Sequence, residues 1–139
     1  DFELRQFEEA EGAEPLRKTI SRGPDYQWEI KTDMKNGVVT EHQWFDEGRI
    51  TYDDHDGWTV ESTHDEYRSI HPDDPLSARL DITWTERFKR DDWEVSSITH
   101  TLVTSTNTQI MVEADMEVRM NAKVVHERNW QLAFPRQLL

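Results

Sequence analysis

The chain has 139 residues and a formal net charge of −13, and this length is typical of one folded domain. Because 29 acidic residues stand against 16 basic ones with no basic stripe, we expect no nucleic-acid partner and no membrane partner. No cysteine is present, which excludes disulfides and zinc–thiolate sites and favours a reducing, cytoplasmic location.

Residues 1–15 are an acidic lead-in that we separate from the folded domain at 16–139. They carry six acids against one base, and Phe2, Leu4 and Phe7 recur at roughly helical spacing before Pro15 ends the segment. This pattern is typical of a short docking segment or a linker. Since the first residue is Asp1 rather than Met, we interpret the chain as a piece of a longer polypeptide.

From residue 16 onwards, turn signals alternate with stretches rich in β-branched and aromatic residues, which predicts an all-β domain. Asn36-Gly37 and Asp56-Gly57 favour type I′ turns, because these residue types tolerate a positive φ. Asp46-Glu47-Gly48 predicts a three-residue hairpin loop. Further turns are predicted at 71–75, 91–92, 105–108 and 121–122.

Two stretches show the alternation that assigns side chains to faces. Apolar residues stand at alternate positions in both: Leu80, Ile82, Trp84 and Phe88, then Ile110, Val112, Ala114, Met116, Val118 and Met120. A period of two predicts strands with one apolar and one polar face. We predict an antiparallel up-and-down meander of about eight or nine long strands, curled into a half-open barrel or a sandwich. Trp84 and Trp130 are expected in its core.

No catalytic or metal-binding constellation is recognisable along the sequence. None of the seven serines has the G-x-S-x-G context of a hydrolase nucleophile. The acidic tract at 53–57 lacks the ligand positions of an EF-hand loop, so a charged hairpin tip is favoured. The histidines lack the spacing of a local metal site, although His64, His100 and His126 could converge across strands. We expect no cofactor and no metal.

A longer pattern runs from Tyr67 to Arg136. Its residues are Tyr67, Ser69, Ile70, Asp73, Asp74, Pro75, Leu76, Ser77, Ala78, Trp93, Val95, Trp130, Pro135 and Arg136. This order resembles the C-terminal region of serine hydrolases of the CocE/NonD family (cocaine esterase and X-prolyl dipeptidyl-peptidase-like), over about residues 16–139. Gln137 departs from the pattern, because an acid commonly follows the Pro-Arg pair in the family.

The resemblance implies a non-catalytic accessory domain of an acyl-ester or X-Pro peptidase-type α/β-hydrolase whose catalytic triad lies outside this chain. The expected partners are the catalytic domain of the parent chain and, in a homo-oligomer, further copies. The expected domain-contact or ligand residues are Tyr67, Asp73, Asp74, Pro75, Trp93, Trp130 and Arg136. For the Asp-Asp-Pro segment, a simple turn is the competing interpretation.

Two other functions stay open. The first is a free-standing β-barrel module whose tryptophans line a site for a small hydrophobic or carbohydrate ligand. The second is a cofactor-free enzyme, which requires a buried carboxylate with a raised pKa beside His100 or His126.

Overall fold

The computed structural model of the protein describes residue 7 and residues 11–136. Its eight strands are β1 (Lys18–Arg22), β2 (Asp25–Thr32), β3 (Val39–Tyr52), β4 (Trp58–His71), β5 (Asp74–Arg90), β6 (Trp93–Ser105), β7 (Gln109–Met120) and β8 (Lys123–Pro135). One 3-10 turn, Asp53–His55, separates β3 from β4. In the described part of the lead-in, Phe7 and residues 11–15 are exposed, whereas Phe2 and Leu4 lie outside the described residues.

All eight strands belong to one antiparallel sheet with the order β1-β3-β4-β5-β6-β7-β8. The strand β2 pairs with the first half of β3, and β1 pairs with the second half along the same edge. From β3 to β8 every strand pairs with the next one in the chain, so the predicted up-and-down meander is confirmed. The sheet is not closed into a barrel. The described strands all belong to this one open sheet.

The pairing register collects the apolar side chains on one face, because directly paired residues of an antiparallel sheet point to the same side. One row across the sheet runs Leu80, Val103, Val112 and Leu132. The alternating apolar residues predicted in β5 and β7 therefore share a single face, which we call the apolar face. The opposite side, the polar face, carries their polar neighbours such as Asp81.

The apolar face lacks a covering layer in the part of the chain that the structure describes. No hydrophobic side chain there is buried, and Trp84 keeps 41% of its surface exposed. The prediction that Trp84 and Trp130 fill an enclosed core is wrong, although both lie on the apolar face. A single sheet buries one face only when a second layer or its own closure covers it. The strands pair as predicted, but they do not enclose a core.

One predicted hairpin loop is a bulge within a strand. The strand β3 continues through Asp46-Glu47-Gly48, and its register with β4 shifts between Asp46 and Arg49. Gly48 adopts a positive φ of 85°, and its N–H donates to Asp46 Oδ1 at 2.8 Å. The glycine therefore does adopt the left-handed conformation that the sequence indicates. It bends the strand instead of reversing the chain.

The other predicted turns lie where the chain reverses, with differences in detail. The loop at 33–38 is closed by the N–H of Gly37 donating to the Asp33 carbonyl at 2.7 Å, and only Gly37 in it has a positive φ. The predicted type I′ turn at Asn36-Gly37 is therefore wrong. Asn121 and Ala122 both have positive φ, at 48° and 66°, and they form the two-residue turn between β7 and β8. No helix in the described residues is long and apolar enough to cross a membrane.

Candidate functional site

A groove crosses the apolar face at the end where β3 begins. It has a volume of about 610 Å³. Its branched aliphatic lining residues are Ile30, Val39, Ile70, Leu80, Val103 and Ile110. Ile30 belongs to β2 and Ile110 to β7, so the sheet curls enough for strands near its two edges to line one groove. Small-molecule sites typically occupy about 300–1,000 Å³, so the groove has the size of a ligand site.

Three arginines line the groove although the chain as a whole is strongly acidic. Its charged lining residues are Arg68, Arg79, Arg136 and Glu41. Arg68 lies beside Glu41, at 3.3 Å, and Arg79 pairs with Asp81 at 2.6 Å. Within residues 11–136, no carboxylate lies at ion-pair distance from Arg136. Among these residues, no carboxylate competes with a ligand for the charge of Arg136 at this end of the groove.

A polar cluster interrupts the apolar face beside the groove, and we define it as Glu41, Gln43, His64, Glu66 and Arg68. Glu66 is only 6% exposed. It forms an ion pair with Arg68 and lies 3.2 Å from His64 Nε2. Glu41 accepts a hydrogen bond from Gln43 at 2.7 Å. That bond lowers the pKa of Glu41, and the hydrogen bond from Arg68 lowers it further. The cluster thus holds paired charges within an apolar surface, which is tolerated only when every member has a partner.

A row of rings that includes His64 of the polar cluster runs across four strands. The ring centroids of Tyr26 and Phe45 lie 4.6 Å apart, those of Phe45 and His64 lie 5.9 Å apart, and those of His64 and Trp84 lie 4.8 Å apart. Trp84 Nε1 donates to Ser62 Oγ at 3.0 Å. This row lines a second cavity of about 570 Å³. It offers flat aromatic surface to a partner, because ring faces pack well against planar or apolar groups.

The polar face carries two histidine–aspartate contacts. His42 Nε2 lies 2.6 Å from Asp65 Oδ1, and His100 Nε2 lies 2.7 Å from Asp81 Oδ1. The hydrogen bond to Asp81 raises the pKa of His100. Burial by itself would raise the pKa of Asp81, but the hydrogen bonds from Arg79 and His100 outweigh it and lower that pKa. The His100–Asp81 pair therefore lacks the raised carboxylate pKa that acid–base catalysis at this position requires.

The histidines named as a candidate metal site do not converge. His64 pairs with Trp84 and lies on the apolar face, whereas His100 pairs with Thr83 and lies on the polar face. In residue 7 and residues 11–136, no group of three histidine, aspartate or glutamate side chains could hold a metal ion.

The structure brings only two of the predicted site residues together. Pro75 and Arg136 both line the groove. Trp93 lies at the other end of the apolar face, where its ring stacks on Trp58 with centroids 5.6 Å apart. Trp130 lies on the edge strand β8, with the guanidinium of Arg128 4.8 Å above its ring.

The other three predicted residues lie apart from the groove lining. Tyr67 is on the polar face, stacked on His42 with centroids 4.2 Å apart. Burial is the main cause that raises the pKa of Tyr67, and the charge of Asp65 adds to it. Asp73 lies in the turn between β4 and β5, and Asp74 is the first residue of β5, where its Oδ1 accepts from the N–H of Leu76 at 3.0 Å. These contacts favour the simple-turn interpretation of Asp73 and Asp74.

Sequence reasoning missed the polar cluster. A signal for it exists, because His64, Glu66 and Arg68 follow each other at alternate positions, as residues of one strand face do. Only the register of β4 against β5 shows that this face is the apolar one, since Glu66 pairs with Ile82 and Arg68 with Leu80.

Comparison with known proteins adds no relative. No protein-family model matches the chain, no curated protein matches it, and no solved structure matches it. Function is therefore inferred from the two faces of the sheet and from the resemblance in the sequence.

Proposed function

We propose that the chain is a non-catalytic accessory domain that packs its apolar face on the catalytic domain of an acyl-ester or X-Pro peptidase-type α/β-hydrolase. The observation that carries the proposal is the uncovered apolar face, since the described residues include no buried hydrophobic side chain. Exposed apolar patches above a few hundred Å² mark surfaces for partners. The resemblance to the CocE/NonD family names the catalytic domain of the parent chain as that partner. The absence of cysteine supports a cytoplasmic location.

The apolar face has the composition of a protein–protein interface. Trp84 and Trp93 are 41% and 36% exposed, and buried aromatic side chains supply much of the binding energy of interfaces. The polar cluster around Glu66 adds directional groups among them. A partner that covers the face must leave these charges paired, which restricts how it can dock.

The test uses the full reading frame that contains the chain, with one substitution on each face of the edge strand β8. Leu132 is 46% exposed on the apolar face, and its neighbour Gln131 is exposed on the polar face. We expect Leu132→Lys to lower hydrolase activity several-fold and to make the domain sensitive to proteases, because it places a charge in the docking surface. The matched control Gln131→Lys pairs with Glu113 and should leave both properties unchanged.

The proposal is overturned by a reading frame that encodes no α/β-hydrolase beside this chain. It is also overturned by equal behaviour of the two variants in the full protein. Turnover of p-nitrophenyl esters or X-Pro anilides by the isolated chain would contradict a non-catalytic role. A stable dimer of the isolated chain that Leu132→Lys dissociates would assign the apolar face to a second copy instead.

A second candidate function is a ligand-binding module, and the groove is the observation that favours it. The groove lies in an open sheet rather than in a closed barrel. None of the described residues that line the groove is aromatic. Because sugars are bound largely by stacking on aromatic rings, the lining favours a hydrophobic ligand over a carbohydrate.

A further inference from the structure

We propose that the groove binds a long-chain fatty acid, with the acyl chain along its aliphatic floor and the carboxylate on the guanidinium of Arg136. This inference rests on the second candidate function and names its ligand class. It depends on two independent properties of the groove, which are the length of its aliphatic lining and the charge of Arg136.

The length of the groove suits an extended chain. It reaches from Ile30 on β2 to Ile110 on β7, across β3, β4, β5 and β6. Five strand spacings of about 4.8 Å give a path of about 24 Å along the curved sheet. With carbon–carbon bonds of about 1.5 Å, that path accommodates an acyl chain of more than about a dozen carbons. The aliphatic side chains along it provide non-directional contact, which suits a flexible ligand of this kind.

The charge of the groove selects an anionic head group. Glu66 and Glu41 already neutralise Arg68, and Asp81 neutralises Arg79. Arg136 is held in place by its own backbone, whose N–H donates to the Thr108 carbonyl at 2.8 Å. Its side-chain Nη1 donates to the Thr106 carbonyl at 3.3 Å. The remaining guanidinium donors can bind a carboxylate in the paired geometry that arginine favours.

The net charge of −13 opposes anion binding only weakly at this position. Charges are screened over about 8 Å at physiological salt, so acids elsewhere on the chain have little effect at the groove. Arg68 and Arg79, which also line the groove, are already paired with acids, so among the described lining residues Arg136 is the arginine without an ion pair. Arg136 therefore favours a ligand with a negative charge, and the aliphatic floor favours a ligand with an apolar chain.

The test titrates the 139-residue chain with a dansyl-labelled undecanoic acid and with the methyl ester of the same compound. We expect saturable binding of the acid, with the ester about tenfold weaker because it lacks the charge that pairs with Arg136. In Arg136→Gln the acid should weaken about tenfold to the level of the ester, and the ester should not change. The matched control is Arg119→Gln on the polar face, whose exposed pair with Glu117 contributes little to stability.

A second variant tests the floor of the groove without changing charge. Ala78 lines the groove, and Ala78→Trp should fill it and abolish binding of both acid and ester. Equal affinity for acid and ester, an unchanged affinity in Arg136→Gln, or binding that survives Ala78→Trp would each overturn the proposal. Absence of saturable binding would also overturn it, while leaving the docking of the apolar face on a hydrolase to be judged by the β8 variants.

Discussion

Gly48 is the position where a single methyl group should disturb the sheet most. It lies in the bulge of β3, with a φ of +85°. A β-carbon added there meets the carbonyl oxygen of Arg22 at 2.3 Å and the carbonyl carbon of Gly23 at 2.9 Å. Both are backbone atoms at the end of β1, so they move only if β1 moves. The substitution Gly48→Ala is therefore opposed by backbone conformation and by contact.

The two costs can be estimated separately. An L-residue in the left-handed conformation costs about 1–2 kcal/mol relative to glycine. An added group in a filled space costs about 1–3 kcal/mol, which brings the expected loss in free energy of unfolding to about 2–5 kcal/mol. Gly57 is the matched control, because its φ is +69° and nothing lies within 4 Å of an added β-carbon. Gly57→Ala should therefore cost only the conformational part, about 1–2 kcal/mol.

Urea denaturation followed by tryptophan fluorescence measures both variants, and amide hydrogen exchange locates the damage. In Gly48→Ala we expect β1 to lose protection before the other strands, because its end carries the contact. If the two variants lose the same free energy of unfolding, the close approach of β1 to the bulge contributes nothing and the reasoning is refuted.

Three further predictions concern single contacts. The pKa of His100 is raised above 6.5, and that of Asp81 is lowered below 3.8. The pair therefore stabilises the fold at pH values between the two folded-state pKa values. This contribution is lost as pH rises through the pKa of the histidine or falls through that of the aspartate. As pH rises above about 6.5, the free energy of unfolding should therefore fall less steeply in His100→Gln than in the unaltered chain, and identical slopes would contradict the pairing. Ala122 has a positive φ of 66° in the two-residue turn after β7. Ala122→Gly should therefore raise the free energy of unfolding by about 1 kcal/mol and raise the denaturation midpoint accordingly. A lower midpoint would exclude strain at this turn. Ser62→Ala removes the acceptor of the Trp84 indole N–H. It should lower the free energy of unfolding by about 0.5–1.5 kcal/mol and shift the tryptophan emission. An unchanged spectrum would show that the hydrogen bond is not formed in solution.

The alternating residues of β5 and β7 explain why so much of the fold was predictable. In Leu80, Ile82 and Trp84 the period of two is a local property, so it identifies a strand and its faces without knowledge of the partner. The turn at Asn121-Ala122 was likewise predicted from residue type alone. Asp46-Glu47-Gly48 has the same local chemistry as a hairpin turn. The long-range pairing of β1 and β4 with β3 makes it a bulge instead.

The candidate site was less predictable, because it depends on register. Pro75 and Arg136 were singled out separately, and their common groove follows from the pairing of distant strands and from the curl of the sheet. Glu66 was overlooked, since a glutamate in a strand ordinarily faces water. Its burial follows from the side chains of the neighbouring strands rather than from its own segment.

The sequence by itself determined that this protein is an antiparallel meander with one apolar face, because alternation and turn chemistry are carried by neighbouring residues. It also determined the acidic charge and the absence of cysteine. The tertiary structure decided that the described strands form one sheet, that no other described segment covers its apolar face, and that an aliphatic groove with Arg136 in its lining lies at one end of it. Those properties depend on strand register and sheet curvature, which arise from contacts between residues far apart in the chain.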